Sequence, residues 1–154
     1  MEALDAQEVA LLKILQRNSK YDINELTEKL NMSRTSIYDR IKRLENEGYI
    51  RGYVALLDAK KVGLSFTVIV NVSLNLQQGI EYVEAFSREV SALPEVVEAY
   101  ITSGIVDYVL KVMVKDPEAF HDFIARKLSA IPNISKIQSS FVMNYIKQST
   151  ALPI

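Results

Sequence analysis

The fold of the N-terminal part of the chain is decided by residues 31–50, which read NMSRTSIYDRIKRLENEGYI. Apolar residues repeat there at helical spacing, namely Ile37, Ile41 and Leu44, which predicts a helix with one buried face. Ser33 is a favoured N-cap residue. Gly48 suits the left-handed conformation that ends a helix. The helix is therefore predicted to cover residues 33–47.

Two further helices are predicted before this one. Asp5 is followed three residues later by Glu8, a spacing that resembles a capping box at the start of the first helix. Asp22 and Glu25 repeat that spacing at the start of the second helix. A three-residue turn, 31–33, separates the second and third helices, and its asparagine tolerates the left-handed conformation. This is the spacing of a helix-turn-helix.

The outward side of the third helix is basic. Residues 33–44 contain four bases and one acid, a local charge of +3 in a chain whose net charge is −1. Clustered bases on such a helix predict contacts with the major groove of DNA. The residues predicted to contact DNA are Ser33, Arg34, Thr35, Ser36, Tyr38, Asp39, Arg40, Lys42 and Arg43. The alternative is a three-helix bundle with an ordinary solvated face.

Within that set, the bases further along the helix are predicted to anchor phosphates, namely Arg40, Lys42 and Arg43. Sequence choice is expected nearer the N-terminus, at Arg34, Thr35, Ser36 and Tyr38. Asp39 either accepts a hydrogen bond from cytosine or balances its basic neighbours, and the sequence leaves both roles open.

The second half of the chain changes from a helical period to an alternating one. Apolar and polar residues alternate over Phe66–Leu74, which predicts a strand. Further strand patterns cover 96–102, 106–114 and 134–145, and helical patterns cover 83–93 and 120–128. The order β-α-β-β-α-β is that of a ferredoxin-like α+β domain. We predict a helix-turn-helix domain at 1–50, a strand or wing with a linker at 51–63, and the ferredoxin-like domain at 64–154.

Several function classes are disfavoured by the composition. The chain has no cysteine and one histidine, His121, which is predicted to be a solvated residue of an amphipathic helix. A zinc site usually needs several such ligands, so no metal, cofactor or catalytic residue is predicted. No apolar run reaches the ~20 residues that span a membrane, and we expect a cytoplasmic protein that is not an enzyme.

Four segments of the chain resemble the Lrp/AsnC family of feast/famine regulators. They read LDAQEVALLKILQ at 4–16, NMSRTSIYDRIKRLENEGYIRGYVALLD at 31–58, LPEVVEAYITSGIVDYVLKV at 93–112 and SSFVMNYIKQSTALP at 139–153. The resemblance implies an N-terminal winged helix-turn-helix domain and a C-terminal ferredoxin-like domain for effector binding and oligomerisation. It implies a DNA-binding transcriptional regulator whose binding is modulated by a small effector, usually an amino acid.

The resemblance also implies homodimers, commonly assembled into tetramers or octamers, that bind palindromic double-stranded operators. The effector residues it implies are Ser103, Gly104, Ile105, Val106, Asp107, Tyr108 and Ser139. Gly104 would permit a tight turn with open amides for a carboxylate, and Asp107 would hold an ammonium group. The apolar pair at 105–106 departs from the family and keeps an alternative open, an architectural DNA-binding protein without an effector. An apolar sheet face at Ile69, Val97, Val109 and Met113 predicts dimerisation sheet to sheet.

Overall fold

The computed structural model describes residues 3–75 and 80–154, which form two compact units. The first unit comprises Met1–Leu56 together with Ile146–Ile154, and the second comprises Leu57–Tyr145. The tail at 146–154 thus belongs with the N-terminal helices, although it was predicted to be part of the domain at 64–154. Among the described residues, no helix is both long and apolar enough to cross a membrane.

The first unit contains three helices: α1 (Ala6–Leu15), α2 (Ile23–Leu30) and α3 (Arg34–Asn46). Asp5 and Glu8 form a complete capping box on α1, in which each carboxylate accepts from the other residue's amide, at 2.8 and 3.0 Å. Ser33 caps α3 by accepting from the amide of Ser36. These bonds satisfy backbone donors that a helix N-terminus leaves open, and they confirm the predicted starts of α1 and α3.

The cap of α2 differs from the prediction. Asp22 accepts from the amide of Asn24 at 2.7 Å, instead of forming a capping box with Glu25. Asn31 ends α2 with a φ of 51° and a ψ of 50°, as predicted. Gly48, which follows α3, has a φ of 78°. The ends of α2 and α3 are therefore set by residues that tolerate left-handed backbone.

One apolar cluster holds the three helices together. Its fully or almost fully buried members are Leu11, Leu26, Ile37 and Leu44, and Ile41 packs against them. Burying each such side chain contributes about 1.5–3 kcal/mol. Because Ile37 and Leu44 both belong to α3, their burial fixes which side of that helix faces solvent.

The segment after α3 does not form the strand predicted within 50–56. Residues 51–58 have no regular secondary structure, and Val54 and Leu56 are exposed. A strand needs a neighbour to pair its backbone groups, and the described sheet consists of four other paired strands. The tail is anchored in the same unit, because Leu152 N donates to Gln16 Oε1 at 2.8 Å and Gln16 Nε2 donates to Leu152 O at 3.1 Å.

The second unit is a four-stranded antiparallel sheet with helices. Its elements are β1 (Phe66–Leu74), α4 (Ile80–Ser91), β2 (Val96–Ile101), β3 (Tyr108–Val114), α5 (Pro117–Arg126), a 3-10 turn (Leu128–Ala130) and β4 (Ile134–Phe141). The strand order is β2-β3-β1-β4, and β1 pairs with both β3 and β4. β3 thus lies between the two strands that α4 connects, which confirms the ferredoxin-like arrangement.

Alternate residues of the central strands build the core of this unit. The core includes Val68, Val70, Val72, Leu110 and Val112 from β1 and β3, with Phe86 from α4 and Phe123 from α5. Successive strand residues point to opposite faces of a sheet. The alternation in the sequence therefore identified the face that the helices cover.

The opposite face of the sheet is mixed in character. It carries the half-buried residues Ile69, Val109 and Met113. Beside them, Lys111 Nζ pairs with Glu98 Oε1 at 2.7 Å. Val97, which was also predicted for this face, lies where the pairing of β2 with β3 shifts register.

Three strand boundaries also differ from the prediction. β2 ends at Ile101 rather than at residue 102. β3 begins at Tyr108 rather than at residue 106, and β4 ends at Phe141 rather than at residue 145. The residues between β2 and β3 form a longer loop than the turn predicted at 103–104. After β4, the Tyr145 hydroxyl donates to Thr67 Oγ1 at 3.1 Å, so that residue contacts β1 through its side chain.

Candidate functional site

The solvent side of α3 carries a continuous row of side chains, which we call the outer stripe. Its members are Thr35, Tyr38, Asp39 and Lys42, all exposed. They lie at positions i, i+3, i+4 and i+7, which share one side of a helix. The stripe is fixed in place because a rotation of α3 would expose Ile37 and Leu44.

The N-terminal end of α3 adds one exposed cation to this surface. Arg34 is the first helical residue, and its Nη2 donates to Asn24 Oδ1 on α2. The hydroxyl of Ser33 is engaged in the cap, where it accepts from the amide of Ser36 at 3.2 Å. Arg34 therefore presents its guanidinium beside the stripe, whereas Ser33 fixes the end of the helix.

Arg40 is engaged within the helical unit. Its Nη1 pairs with Asp5 Oδ2, and its Nη2 donates to Gln7 Oε1 at 2.9 Å. Nη1 also lies 3.6 Å from Glu8 Oε1. The Glu8 amide, and then the Arg40 guanidinium, hold the pKa of the Asp5 carboxyl below its ordinary value.

Arg43 is likewise matched by carboxylates. Its Nη1 pairs with Glu8 Oε1, and its Nε pairs with Glu47 Oε1 at 2.8 Å. Hydrogen bonding to Glu47 first, and then to Glu8, raises the pKa of Arg43. Arg40 and Arg43 are thus both engaged with carboxylates, and their role as phosphate anchors stays a prediction. Lys42 is the base that the outer stripe retains.

Glu8 is the centre of this network and is fully buried. Its carboxylate accepts from the Asp5 amide and faces both arginines, contacts that offset the cost of burying a charge. Sequence reasoning identified Glu8 as a capping residue but missed these ion pairs. One signal was available, because Glu8 falls in helical register with the apolar residues Leu4, Leu11 and Leu15.

In the second unit, backbone hydrogen bonds close the loop between β2 and β3 at its base. Thr102 N donates to Asp107 O at 2.9 Å, and Thr102 Oγ1 donates to Val106 O at 2.5 Å. Asp107 N donates to Val72 O at 3.1 Å. Asp107 Oδ2 accepts from the amide of Leu74 at 2.7 Å. One oxygen of this carboxylate is therefore engaged with β1.

The tip of the same loop is exposed. Ser103 and Gly104 face solvent, and the exposed fraction of Ile105 is 101%. Gly104 lies outside the left-handed region, and an added Cβ would meet no described atom within 4 Å. Gly104 was predicted to permit a tight turn, but its backbone does not use the left-handed freedom of a glycine. Neither backbone conformation nor packing among the described residues requires a glycine there.

Two predicted effector residues lie apart from this tip. Tyr108 is buried, its ring centroid lies 4.5 Å from that of Phe86, and its hydroxyl donates to Val83 O at 2.9 Å. Tyr108 thus packs in the core of this unit, and its contact with an effector stays a prediction. Ser139 is exposed on β4 opposite Val70, so β1 separates it from β3. The structure brings residues 103–107 together and leaves Tyr108 and Ser139 outside that group.

Two family models match the chain. Residues 4–51 match a winged helix-turn-helix DNA-binding domain. Residues 67–152 match the Lrp/AsnC ligand binding domain. Together they cover the helices that carry the outer stripe and the sheet that carries the loop.

Full-length relatives agree with these matches. The chain is 35% identical over 151 residues to the DNA-binding transcriptional activator DecR of Escherichia coli (strain K12), covering 98% of this chain and 99% of that protein. An AsnC family transcriptional regulator from Agrobacterium tumefaciens is 40% identical, with a TM-score of 0.92 and 97% of each chain covered. A Neisseria meningitidis transcriptional regulator, solved as a complex with L-Met, is 32% identical with a TM-score of 0.92, covering 98% of this chain and 97% of that one. The chain therefore belongs to the Lrp/AsnC family of transcriptional regulators.

Proposed function

We propose that α3 enters the major groove of DNA and presents five residues there: Arg34, Thr35, Tyr38, Asp39 and Lys42. The observation that carries this proposal is the division of charge on α3. Arg40 and Arg43 are paired with carboxylates of their own unit, whereas Arg34 and Lys42 are exposed and the partner of Arg34 is a neutral oxygen, Asn24 Oδ1. The first turn of a recognition helix contacts base edges, and cations further along contact phosphates. Arg34 is therefore assigned to bases and Lys42 to a phosphate.

The test uses duplexes that the full chain selects from a random-sequence library. We expect Lys42→Ala to weaken binding to all sequences alike. It should also reduce the slope of log K against log salt by about 1, the value for the loss of one phosphate contact. Arg17→Ala removes an exposed base outside α3 and is the matched control. If Lys42→Ala and Arg17→Ala bind alike, the proposed surface is wrong.

Arg34 needs a different variant, because truncation to alanine would weaken DNA binding whether Arg34 contacts a base or a phosphate. Arginine contacts guanine through two parallel hydrogen bonds, a geometry that lysine does not reproduce in the same way. We expect Arg34→Lys to retain the salt slope and to relax the preference for one base pair in each half-site. An unchanged base preference would assign Arg34 to the DNA backbone instead.

We infer that the protein forms homodimers sheet to sheet and assembles further into tetramers or octamers. The half-buried apolar residues Ile69, Val109 and Met113 support this, because such a patch is unfavourable in water. A symmetric dimer would place two α3 helices on a palindromic operator, with half-sites about one helical turn or a multiple of it apart. Met113→Lys is expected to lower the mass measured by light scattering, while His121→Lys, an exposed site on α5, leaves it unchanged. A monomeric parent protein at micromolar concentration would contradict the inference.

We propose that the loop at 103–107 binds an amino acid. The exposed backbone at Gly104 supports this, because open amides suit a carboxylate. Asp107 supplies the negative charge that an ammonium group needs. The Neisseria meningitidis relative was solved with an amino acid, L-Met.

A thermal-shift screen with the common amino acids tests this proposal. A specific ligand at 100 times its Kd stabilises the protein by about 2.7 kcal/mol. Gly104→Val should abolish the shift at no cost to the fold, because its side chain meets nothing nearby. Gly52→Val, at a similarly open position of the first unit, is the control. If no amino acid shifts the parent protein, the architectural alternative is favoured.

A further inference from the structure

Asp39 is an acidic residue in the middle of a surface proposed to face a polyanion. It lies four residues after Thr35 and three before Lys42, so it is central to the outer stripe. Its side chain is exposed, and no ion pair among the described residues includes it. A carboxylate in that position repels phosphates unless a donor on the DNA compensates it.

The structure provides other partners for the basic neighbours that Asp39 was thought to balance. Arg40 pairs with Asp5 of α1. Arg43 pairs with Glu8 of α1 and with Glu47. The local excess of positive charge that the sequence shows around Asp39 is therefore reduced by α1 and by the end of α3. Charge balance does not require the Asp39 carboxylate.

We propose that Asp39 is a specificity-determining residue that accepts a hydrogen bond from the N4 amino group of cytosine in the major groove. The inference rests on the proposed function, since it requires α3 to lie in that groove. It goes beyond it by naming the base that one residue selects.

The donor pattern of the bases leads to this assignment. An ionised carboxylate only accepts hydrogen bonds. Guanine presents two acceptors in the major groove, N7 and O6, and thymine presents O4 with a methyl group. Adenine presents a donor beside the acceptor N7, whereas cytosine presents its N4 donor alone. Cytosine is therefore the base that a carboxylate favours most, and guanine and thymine are excluded by repulsion.

The experiment selects duplexes with the full chain and with Asp39→Asn, then measures each protein on matched duplexes that differ at one base pair. For the parent chain, replacing the selected C·G base pair of one half-site by T·A should weaken binding about tenfold. Asparagine carries a donor as well as an acceptor, so Asp39→Asn should bind the cytosine and thymine duplexes with nearly equal affinity. Preferences elsewhere in the site should be retained. Glu28→Gln, an exposed carboxylate change on α2, is the control and should retain the full ratio.

The outcomes separate this inference from the proposed function. If Asp39→Asn raises affinity equally for every sequence and keeps the cytosine preference, Asp39 only tunes charge and the inference is overturned. An unchanged affinity and an unchanged preference overturn it as well. If the parent chain enriches no duplex at all, the proposed DNA contact itself fails, independently of Asp39.

Discussion

Removing the charge of Glu8 should make the first unit less stable while leaving its folded structure unchanged. Glu8→Gln preserves the size of a fully buried side chain and keeps an oxygen for the Asp5 amide. It removes the negative charge that faces Arg40 and Arg43. The change therefore isolates the ion pairs from the helix cap.

The expected loss of unfolding free energy depends on the carboxylate partners that Arg40 and Arg43 keep in Glu8→Gln. Breaking a buried ion pair costs about 3–5 kcal/mol when the remaining charge has no other partner. Here Arg40 retains Asp5 and Arg43 retains Glu47, and both side chains are about a quarter exposed, at 24% and 27%. We therefore expect the lower cost of losing a charged hydrogen bond, about 1.5–3 kcal/mol. For a unit of this size, that lowers the thermal midpoint by roughly 10 °C.

The assay combines thermal unfolding with hydrogen exchange resolved along the chain. Amides of α1 and α3 should lose protection in Glu8→Gln, while those of β1 and β3 keep it, because the ion pairs lie within the first unit. Glu28→Gln makes the same chemical change on the surface and should stay within about 0.5 kcal/mol of the parent protein. If Glu8→Gln is as stable as Glu28→Gln, the ion pairs do not stabilise α3 and the reasoning fails.

Three further predictions concern pH and backbone. The pKa of Asp5 is lowered by the Glu8 amide and then by Arg40. The carboxylate therefore stabilises the folded protein above its ordinary pKa of 3.8, and this contribution is lost as pH falls through the folded-state pKa. In urea unfolding between pH 7 and 3, the free energy of unfolding should fall less steeply with pH for Asp5→Asn than for the parent protein. Burial, and then Glu45, raises the pKa of Tyr53 to about 12. The protonated Tyr53 hydroxyl therefore stabilises the folded protein below pH 10, and this contribution is lost as pH rises towards 12. The absorbance of tyrosinate at high pH should show this late titration in the parent protein and not in Tyr53→Phe. Asn31 is left-handed, so Asn31→Ala should be about 1 kcal/mol less stable than Asn31→Gly in chemical denaturation.

Local features of the fold could be predicted from the sequence because neighbouring residues set them. The cap at Ser33 depends on residues within one turn, and the left-handed Asn31 depends on its own backbone preference. The alternation along β1 shows directly which residues the helices cover. The βαββαβ order then leaves few possible topologies for such a sheet.

The sequence could not show which predicted site residues are already engaged. Arg43 and Glu8 are 35 positions apart, and their pairing depends on how α1 packs against α3. Tyr108 follows the loop directly, yet the pleat of β3 turns it into the core. The segment 51–58 is apolar enough for a strand, but strand formation depends on a neighbour that the local sequence does not specify.

The ion pairs of Arg40 and Arg43 affect the expected DNA binding as well as the stability. Sequence-independent affinity rises with the number of phosphates that a protein neutralises, and a regulator needs a high ratio of specific to non-specific binding. If α3 contacts DNA as proposed, the pairing of Arg40 and Arg43 with carboxylates reduces the general attraction of the first unit to DNA. Glu8→Gln should therefore act in opposite directions in two assays. It should lower the thermal midpoint, and it should raise affinity for random duplexes with a steeper salt dependence, because Arg43 is freed in part. A variant that loses stability without gaining non-specific affinity would show that these arginines do not reach the phosphates even when released.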